Sequence, residues 1–150
     1  MSHTVLLVED EPMQRSLMQG ALEKKLGYET IVLEHGEEVL PALERHPEIQ
    51  LILLDLHLSG IDGFVVMERL KHAGIKLPVI ILTSDNEIEQ AVRAIKMGAT
   101  DFITKPVQLE RLQASITNAM RIVDLTREVT KLQQYRNYPG DGRQGATRFG

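Results

Sequence analysis

Short runs rich in apolar and β-branched residues constrain the fold of this 150-residue chain more than any other feature. Five such runs lie at residues 5–8, 30–33, 51–54, 79–82 and 102–104. A segment with apolar residues at helical spacing follows each run. Strands that are apolar on both faces are typical of parallel sheets covered by helices on either side. The pattern therefore predicts an α/β fold of (βα)5 type, a doubly wound three-layer sandwich with a flavodoxin-like parallel sheet of order 2-1-3-4-5.

The last predicted helix is longer than this sandwich needs. It continues without a helix breaker along a thin apolar seam formed by Val123, Val129 and Leu132. Glycine and polar residues then dominate, which is typical of a flexible linker. We therefore predict a compact domain at residues 1–122, a helical extension for dimerisation at 123–136, and a flexible linker toward a missing effector domain at 137–150.

Composition excludes several classes of function. The formal net charge of −4 argues against binding of this segment to a nucleic acid or an anionic membrane. The absence of cysteine excludes a disulfide framework and a thiolate metal site. No apolar run is long enough to cross a bilayer, and the N-terminus does not resemble a signal peptide. The expected compartment is the cytoplasm.

Three acidic residues follow two strands that the predicted order makes neighbours. Glu9 and Asp10 come directly after the first run, and Asp55 comes directly after the third. The topological switch point of such a sheet lies between the carboxyl ends of these strands, and ligands bind there. Because a buried carboxylate is costly unless it is paired, hydrogen-bonded or bound to a metal, we expect this cluster to have partners.

A hard divalent cation would relieve the repulsion among the three acids. Mg2+, or Mn2+ in its place, prefers oxygen ligands and retains several waters. We predict Asp10 and Asp55 as direct ligands. Glu9 would act through water, and the backbone carbonyl of His57 would be a third protein oxygen. Lys105, at the end of the fifth strand, would bring the formal charge of the occupied pocket to zero, so that the pocket could hold a phosphoryl group.

Each of these residues also has an ordinary explanation when it is considered alone. Acids after the first strand can complement a helix dipole, and Asp55 can be a polar strand end. Thr83 can be a helix-entry hydroxyl, and Lys105 can be a solvated lysine. Their joint occurrence at the ends of strands 1, 3, 4 and 5 favours a single site.

Together these residues resemble the receiver domain of two-component response regulators over about residues 3–122. The matching positions are the acid pair Glu9-Asp10, the phospho-acceptor Asp55, the hydroxyl Thr83, the switch aromatic Phe102, and Lys105-Pro106. The stretch GATDFITKP at 98–106 is a strong local match by itself.

The resemblance implies a mechanism as well as a fold. Asp55 would take a phosphoryl group from a histidine kinase or a histidine phosphotransfer protein, with Mg2+ and Lys105 stabilising the transferred charge. Thr83 would then bind the phosphate, and Phe102 would turn into the vacated space. His57 and Asp85, two residues after Asp55 and Thr83, would set the rate of dephosphorylation. Such a domain is a phospho-acceptor rather than an enzyme acting on a small molecule.

The resemblance also implies partners. The face formed by helix 4, strand 5 and helix 5 would change on phosphorylation and, with the extended helix, would form a homodimer. The long helix and linker resemble the connection to the ATPase domain in nitrogen-regulation activators, so a transcriptional output is expected. A stand-alone phosphorelay receiver, or the receiver of a cyclic-dinucleotide enzyme, is the alternative.

Two other functions fit the topology but not the residues. A flavodoxin-type cofactor domain needs a phosphate-binding loop after the first strand, where this chain has three acids that repel phosphate. A phosphatase with an aspartyl nucleophile would need a second acid two residues after Asp55, where His57 stands instead.

Overall fold

Five strands alternate with five helices in the computed structural model, which describes residues 3–84 and 86–136. The strands are β1 Thr4–Val8, β2 Glu29–Leu33, β3 Ile49–Asp55, β4 Val79–Ser84 and β5 Asp101–Lys105. The helices are α1 Pro12–Gly20, α2 Val39–Arg45, α3 Gly63–His72, α4 Ile88–Lys96 and α5 Leu109–Arg136. A π-helical turn, Ala21–Lys25, extends α1, and a 3-10 turn, Gly36–Glu38, precedes α2.

The strands form one parallel sheet of order β2-β1-β3-β4-β5, which confirms the predicted topology. The register pairs Val8 with Leu54, and Asp55 with Leu82. The carboxyl ends of the three central strands therefore reach the same edge of the sheet, and the residues that follow them meet there.

The core has two layers, one on each face of the sheet. Leu6 and Val8 belong to the layer that packs against α2, α3 and α4. Val5 and Leu7 belong to the layer that packs against the π turn after α1 and against α5. Because successive residues of a strand point to opposite faces, both sets must be apolar. This explains the runs without alternation from which the fold was predicted.

Two local features differ from what the sequence suggests. α1 forms where the apolar spacing predicts a helix, but Met13 and Leu17 from that spacing are each 69% exposed. Ser84 and Glu87 have the spacing of a capping box, which predicts Ser84 as the N-cap of the next helix. That prediction is wrong, because α4 begins at Ile88 with Glu87 as its N-cap.

Some predictions fall outside what the structure describes. The helix of 28 residues, α5, reaches Arg136, but the side chains of Val123, Val129 and Leu132 lie outside the described part, as do Asp85 and residues 137–150. Among the described residues, no helix combines the length and the apolar content needed to cross a membrane.

Candidate functional site

The three acids predicted to cluster lie together at the carboxyl edge of the sheet. One carboxylate oxygen from each of Glu9, Asp10 and Asp55 lies within 4.8 Å of the others. Glu9 is 2% exposed and Asp55 is 3% exposed, so two of the three carboxylates are shielded from water. The arrangement follows from the register, since Glu9 and Asp55 continue two paired strands. The oxygens form a donor set that suits a hard cation such as Mg2+ or Mn2+.

Lys105 joins two of these carboxylates from the end of β5. Its Nζ donates to Oε1 of Glu9 at 3.2 Å and to Oδ2 of Asp55 at 3.0 Å. Burial by itself would lower the pKa of Lys105, but the attraction of Asp55 and Glu9 raises it above its ordinary value. The side chain is therefore an ammonium ion held directly beside the predicted acceptor.

Burial and the repulsion within the cluster raise the pKa of Glu9. Burial, followed by the negative charge of Asp55 and a hydrogen bond with it, raises the pKa of Glu9 to about 7. Lys105 and the backbone N–H of Glu11 act in the opposite direction without cancelling the effect. One ammonium thus does not fully compensate the acids. A divalent cation would supply the missing positive charge, which is the second reason the pocket fits one.

Backbone contacts fix the loops that carry the acids. Asp10 Oδ2 accepts a hydrogen bond from the N–H of Ser59 at 2.9 Å, and Asp55 Oδ1 accepts one from the N–H of His57 at 3.0 Å. The Arg15 guanidinium donates to the carbonyl oxygens of Glu9 at 3.1 Å and Asp10 at 3.3 Å. Sequence reasoning missed Arg15 and Ser59, because nothing in their spacing connects them to the acids.

A glycine is required immediately beside the predicted acceptor. A Cβ at Gly63 would lie 2.7 Å from Cα of Leu56 and 2.9 Å from the carbonyl oxygen of Asp55, closer than real contacts allow. The N–H of Gly63 also donates to the carbonyl of Leu56 at 2.9 Å. The first residue of α3 therefore packs against the backbone of Asp55 and fixes its position.

Thr83 has a hydroxyl without a partner. The residue is 1% exposed, and its Oγ1 makes no hydrogen bond to any described residue. Burying a hydroxyl without a hydrogen-bond partner costs free energy relative to leaving it in water. A polar group that came within reach of Oγ1 would therefore be bound. Phe102 is paired in register with Ile81 on β4, on the same face of the sheet as Thr83, and packs partly buried against the core on that side.

His57 and Glu87 meet beside the site. Nε2 of His57 lies 2.5 Å from Oε2 of Glu87, with the imidazole 53% exposed and the carboxylate 22% exposed. Partial desolvation would raise the pKa of Glu87, but the hydrogen bond and charge of His57, together with hydrogen bonds from Ser84, lower it below its ordinary value. Sequence reasoning singled out His57 for the site, whereas Glu87 was noted only for its capping-box spacing with Ser84.

An apolar groove opens beside Lys105 and Glu9. Its volume is about 310 Å³. The lining residues include Leu17 and Met18 from α1, Pro106 and Val107 after β5, and Leu109 at the start of α5. The exposed side chains of Leu17 and Leu109 therefore share this groove with Glu9 and Lys105, and an apolar partner that covered them would lie next to these two charged residues.

Known proteins resemble this chain in sequence and in fold. The family model described as the response regulator receiver domain matches residues 5–117. The chain is 36% identical over 137 residues to the nitrogen assimilation regulatory protein NtrX of Azorhizobium caulinodans, covering 89% of this chain and 30% of that protein. It is 36% identical over 118 residues to a cyclic di-GMP phosphodiesterase of Thermotoga maritima, covering 79% of this chain and 31% of that protein.

A crystal structure supports the same likeness. The receiver domain of NtrX from Brucella abortus superposes with a TM-score of 0.73 at 34% identity, covering 78% of this chain and 98% of that one. The chain spans less than a third of the length of each of these two curated relatives.

Proposed function

This chain belongs to the response regulator receiver domains, and we propose that its Asp55 accepts a phosphoryl group from a phosphohistidine. One observation carries the proposal. The buried Asp55 carboxylate ends β3 between a lysine ammonium at 3.0 Å and a second buried acid, within a donor set that suits Mg2+ or Mn2+. Receiver domains bind Mg2+ at such an acidic pocket and interact with histidine kinases and phosphotransfer proteins.

The chemistry is an in-line displacement at phosphorus. An oxygen of Asp55 forms a P–O bond, and the P–N bond of the donor histidine breaks. The electron pair stays on the imidazole nitrogen of the donor, which takes up a proton. Lys105 stabilises the negative charge of the phosphoryl oxygens as they pass between the two atoms. Glu9, Asp10, Asp55 and the carbonyl of His57 would hold Mg2+ or Mn2+, which supplies further charge neutralisation when bound.

The donor approaches over the apolar groove. Met13 and Leu17 of α1 are each 69% exposed, and Leu17 lines the groove together with Lys105 and Glu9. A helix of a histidine kinase or phosphotransfer protein that buried these side chains would bring its histidine to the mouth of the site. Exposed apolar patches bordered by polar residues are typical of protein–protein interfaces.

The signal leaves through Thr83 and Phe102. Once Asp55 is phosphorylated, the buried hydroxyl of Thr83 donates to a phosphoryl oxygen, and Phe102 moves toward the space that Thr83 leaves. Both residues lie on the face of the sheet that α4 covers. The surface formed by α4, β5 and α5 changes in consequence, and with the extended α5 it controls a homodimer.

The output of the whole protein is transcription in this proposal. The likeness to NtrX supports it, because that protein is named as a nitrogen assimilation regulator. The likeness to a cyclic di-GMP phosphodiesterase keeps a cyclic-dinucleotide enzyme as the second candidate. A stand-alone phosphorelay receiver is the third. In each case residues 1–122 would be the receiver. For a transcriptional output or a cyclic-dinucleotide enzyme, residues 123–136 would be a dimerising helix and residues 137–150 a linker to the effector domain. His57 and Asp85 would tune the lifetime of the phosphorylated state.

The test is phosphorylation by a small donor. Wild type and Asp55→Asn are incubated with acetyl phosphate and Mg2+, and intact mass and elution volume are measured. We expect a gain of one phosphoryl group in wild type only, with a change in elution that depends on Asp55. A Glu48→Gln variant, which removes an exposed carboxylate just before β3, is the matched control and should gain the group as wild type does. No gain in folded wild type would contradict the proposal.

A further inference from the structure

The contact between His57 and Glu87 joins the loop after β3 to the start of α4, which the proposed movements of Thr83 and Phe102 do not do. His57 lies in the loop after β3, and Glu87 is the N-cap of α4. Nε2 of His57 and Oε2 of Glu87 lie 2.5 Å apart, which brings the imidazole and the carboxylate into direct contact. The ring can donate its Nε2–H to the Glu87 carboxylate.

The contact is one link in a chain of hydrogen bonds that begins at the acceptor. The N–H of His57 donates to Oδ1 of Asp55 at 3.0 Å. The ring of His57 then contacts the Glu87 carboxylate, and the Glu87 carbonyl accepts from the N–H groups of Gln90 and Ala91 at 3.1 Å each. Asp55 is thus connected to the first turn of α4 through described residues, without passing through Thr83.

α4 presents an apolar stripe, and these hydrogen bonds from Asp55 to α4 would govern where the stripe lies. Ile88, Val92 and Ile95 recur at the spacing of one helical face and are 42%, 44% and 38% exposed. Any shift of the first turn of α4 moves the stripe as a unit, because a helix of nine residues is a rigid element.

We propose that Glu87 is a positioning residue that holds the His57 ring and thereby ties α4 to the acceptor loop in the unphosphorylated protein. The inference rests on the proposed function and deepens it. A phosphoryl group on Asp55 brings strong acceptor oxygens close to His57, and these compete with Glu87 for the single Nε2–H of the ring. When the ring leaves Glu87, α4 is released. Because the tie exists in one state only, it biases the equilibrium between the states by its own free energy.

The experiment measures the affinity of the Mg2+-loaded protein for beryllofluoride, a phosphoryl mimic that binds the acceptor carboxylate, by calorimetry. Glu87→Ala should bind it about two- to fivefold more tightly, the range expected for an exposed hydrogen-bonded pair. Glu87→Gln keeps an acceptor oxygen and should return toward wild type. Glu89→Ala removes an exposed acid from the same helical turn and should leave the affinity unchanged.

A second variant separates positioning from a general effect on the helix. In a His57→Ala background, which keeps the backbone carbonyl, Glu87→Ala should have no further effect, since the tie is already absent. Amide hydrogen exchange of residues 88–96 in the unphosphorylated protein should rise in both single variants and no further in the double variant. Circular dichroism verifies that each variant is folded.

The outcomes distinguish this inference from the function on which it rests. Failure of wild type to bind beryllofluoride with Mg2+ present contradicts the phospho-acceptor function itself. Normal binding by wild type, with additive effects of the two substitutions or unchanged affinity in Glu87→Ala, overturns the tie alone. Tighter binding that is lost in the His57→Ala background supports it.

Discussion

The two sides of the site are built in opposite ways. On the acid side, which comprises Glu9, Asp10, Asp55 and Lys105, the lysine contacts the two buried carboxylates at 3.0 and 3.2 Å. Backbone hydrogen bonds fix Asp10 and Asp55. On the switch side, which comprises Thr83, Phe102, His57 and Glu87, the buried hydroxyl has no partner among the described residues, and the contact between His57 and Glu87 is partly exposed. The acid side is therefore rigid and the switch side is weakly held.

The difference assigns a separate task to each side. A reacting carboxylate has to be held in one geometry, and a buried charge network does so because breaking any member leaves an unpaired charge. A signal requires two arrangements of similar free energy, which weak and unsatisfied contacts permit. Substitutions on the acid side should therefore reduce the chemistry, and substitutions on the switch side should alter the response to it.

The largest effect is expected for Lys105→Met. The variant removes the ammonium that contacts both Asp55 and Glu9, so the developing charge of the phosphoryl group is no longer stabilised there. We expect the rate of phosphorylation by acetyl phosphate to fall about 10²- to 10³-fold, as when one donor is removed from an oxyanion site. Intact-mass kinetics at saturating Mg2+ measures it.

The matched control for that variant is Lys76→Met, since Lys76 is an exposed lysine between α3 and β4. It should react at the rate of wild type. A rate for Lys105→Met within threefold of wild type would break the comparison, because the acid side would then tolerate loss of its central contact.

A smaller effect is expected of pH on the affinity for Mg2+. The pKa of Glu9 is raised from 4.5 to about 7. The metal-free folded protein therefore binds a proton that the unfolded chain releases. The resulting stabilisation is fully present below pH 4.5 and is lost as pH rises through about 7. A cation has to displace this proton, so Mg2+ affinity should rise about tenfold between pH 6 and pH 8.

Calorimetric titration with Mg2+ across this range checks the sign. Histidines titrate in the same window, so Glu9→Gln is the reference variant, and only the difference between it and wild type reports Glu9. If the difference in Mg2+ affinity between wild type and Glu9→Gln does not change with pH, the negative charges of the three acids are compensated without a cation.

The sequence was sufficient for the sheet, and for the acid side in outline. Strand order follows from unalternated apolar runs, because both faces of a parallel sheet need apolar contacts. The meeting of Glu9, Asp10 and Asp55 follows from parallel strand ends, which requires no knowledge of side-chain conformation.

The switch side and the loop contacts were less accessible to sequence reasoning. The ring of His57 reaches Glu87, 30 positions further along the chain, through loop geometry that no periodicity encodes. Arg15 contacts the carbonyls of the acid loop from within α1, where a polar side chain at that spacing is ordinary. Met13 and Leu17 fit an apolar helical stripe, but burial depends on what packs against the helix, and their side chains remain exposed.

The smallest effect on the chemistry, with the clearest effect on the response, is expected for Thr83→Ala. Its hydroxyl has no partner among the described residues before phosphorylation, so its loss should change the phosphorylation rate by no more than about threefold. The phosphorylated variant should nevertheless fail to show the change in hydrogen exchange of residues 101–116 that wild type shows, because the contact between Thr83 and phosphate that moves Phe102 is missing. Thr83→Ser keeps the hydroxyl and should restore the change. Thr104→Ala, which removes a hydroxyl paired in register on β5, should leave it intact. A wild-type response of residues 101–116 in Thr83→Ala would mean that Thr83 does not start the change, and that the switch side responds to phosphorylation through His57 and Glu87 alone.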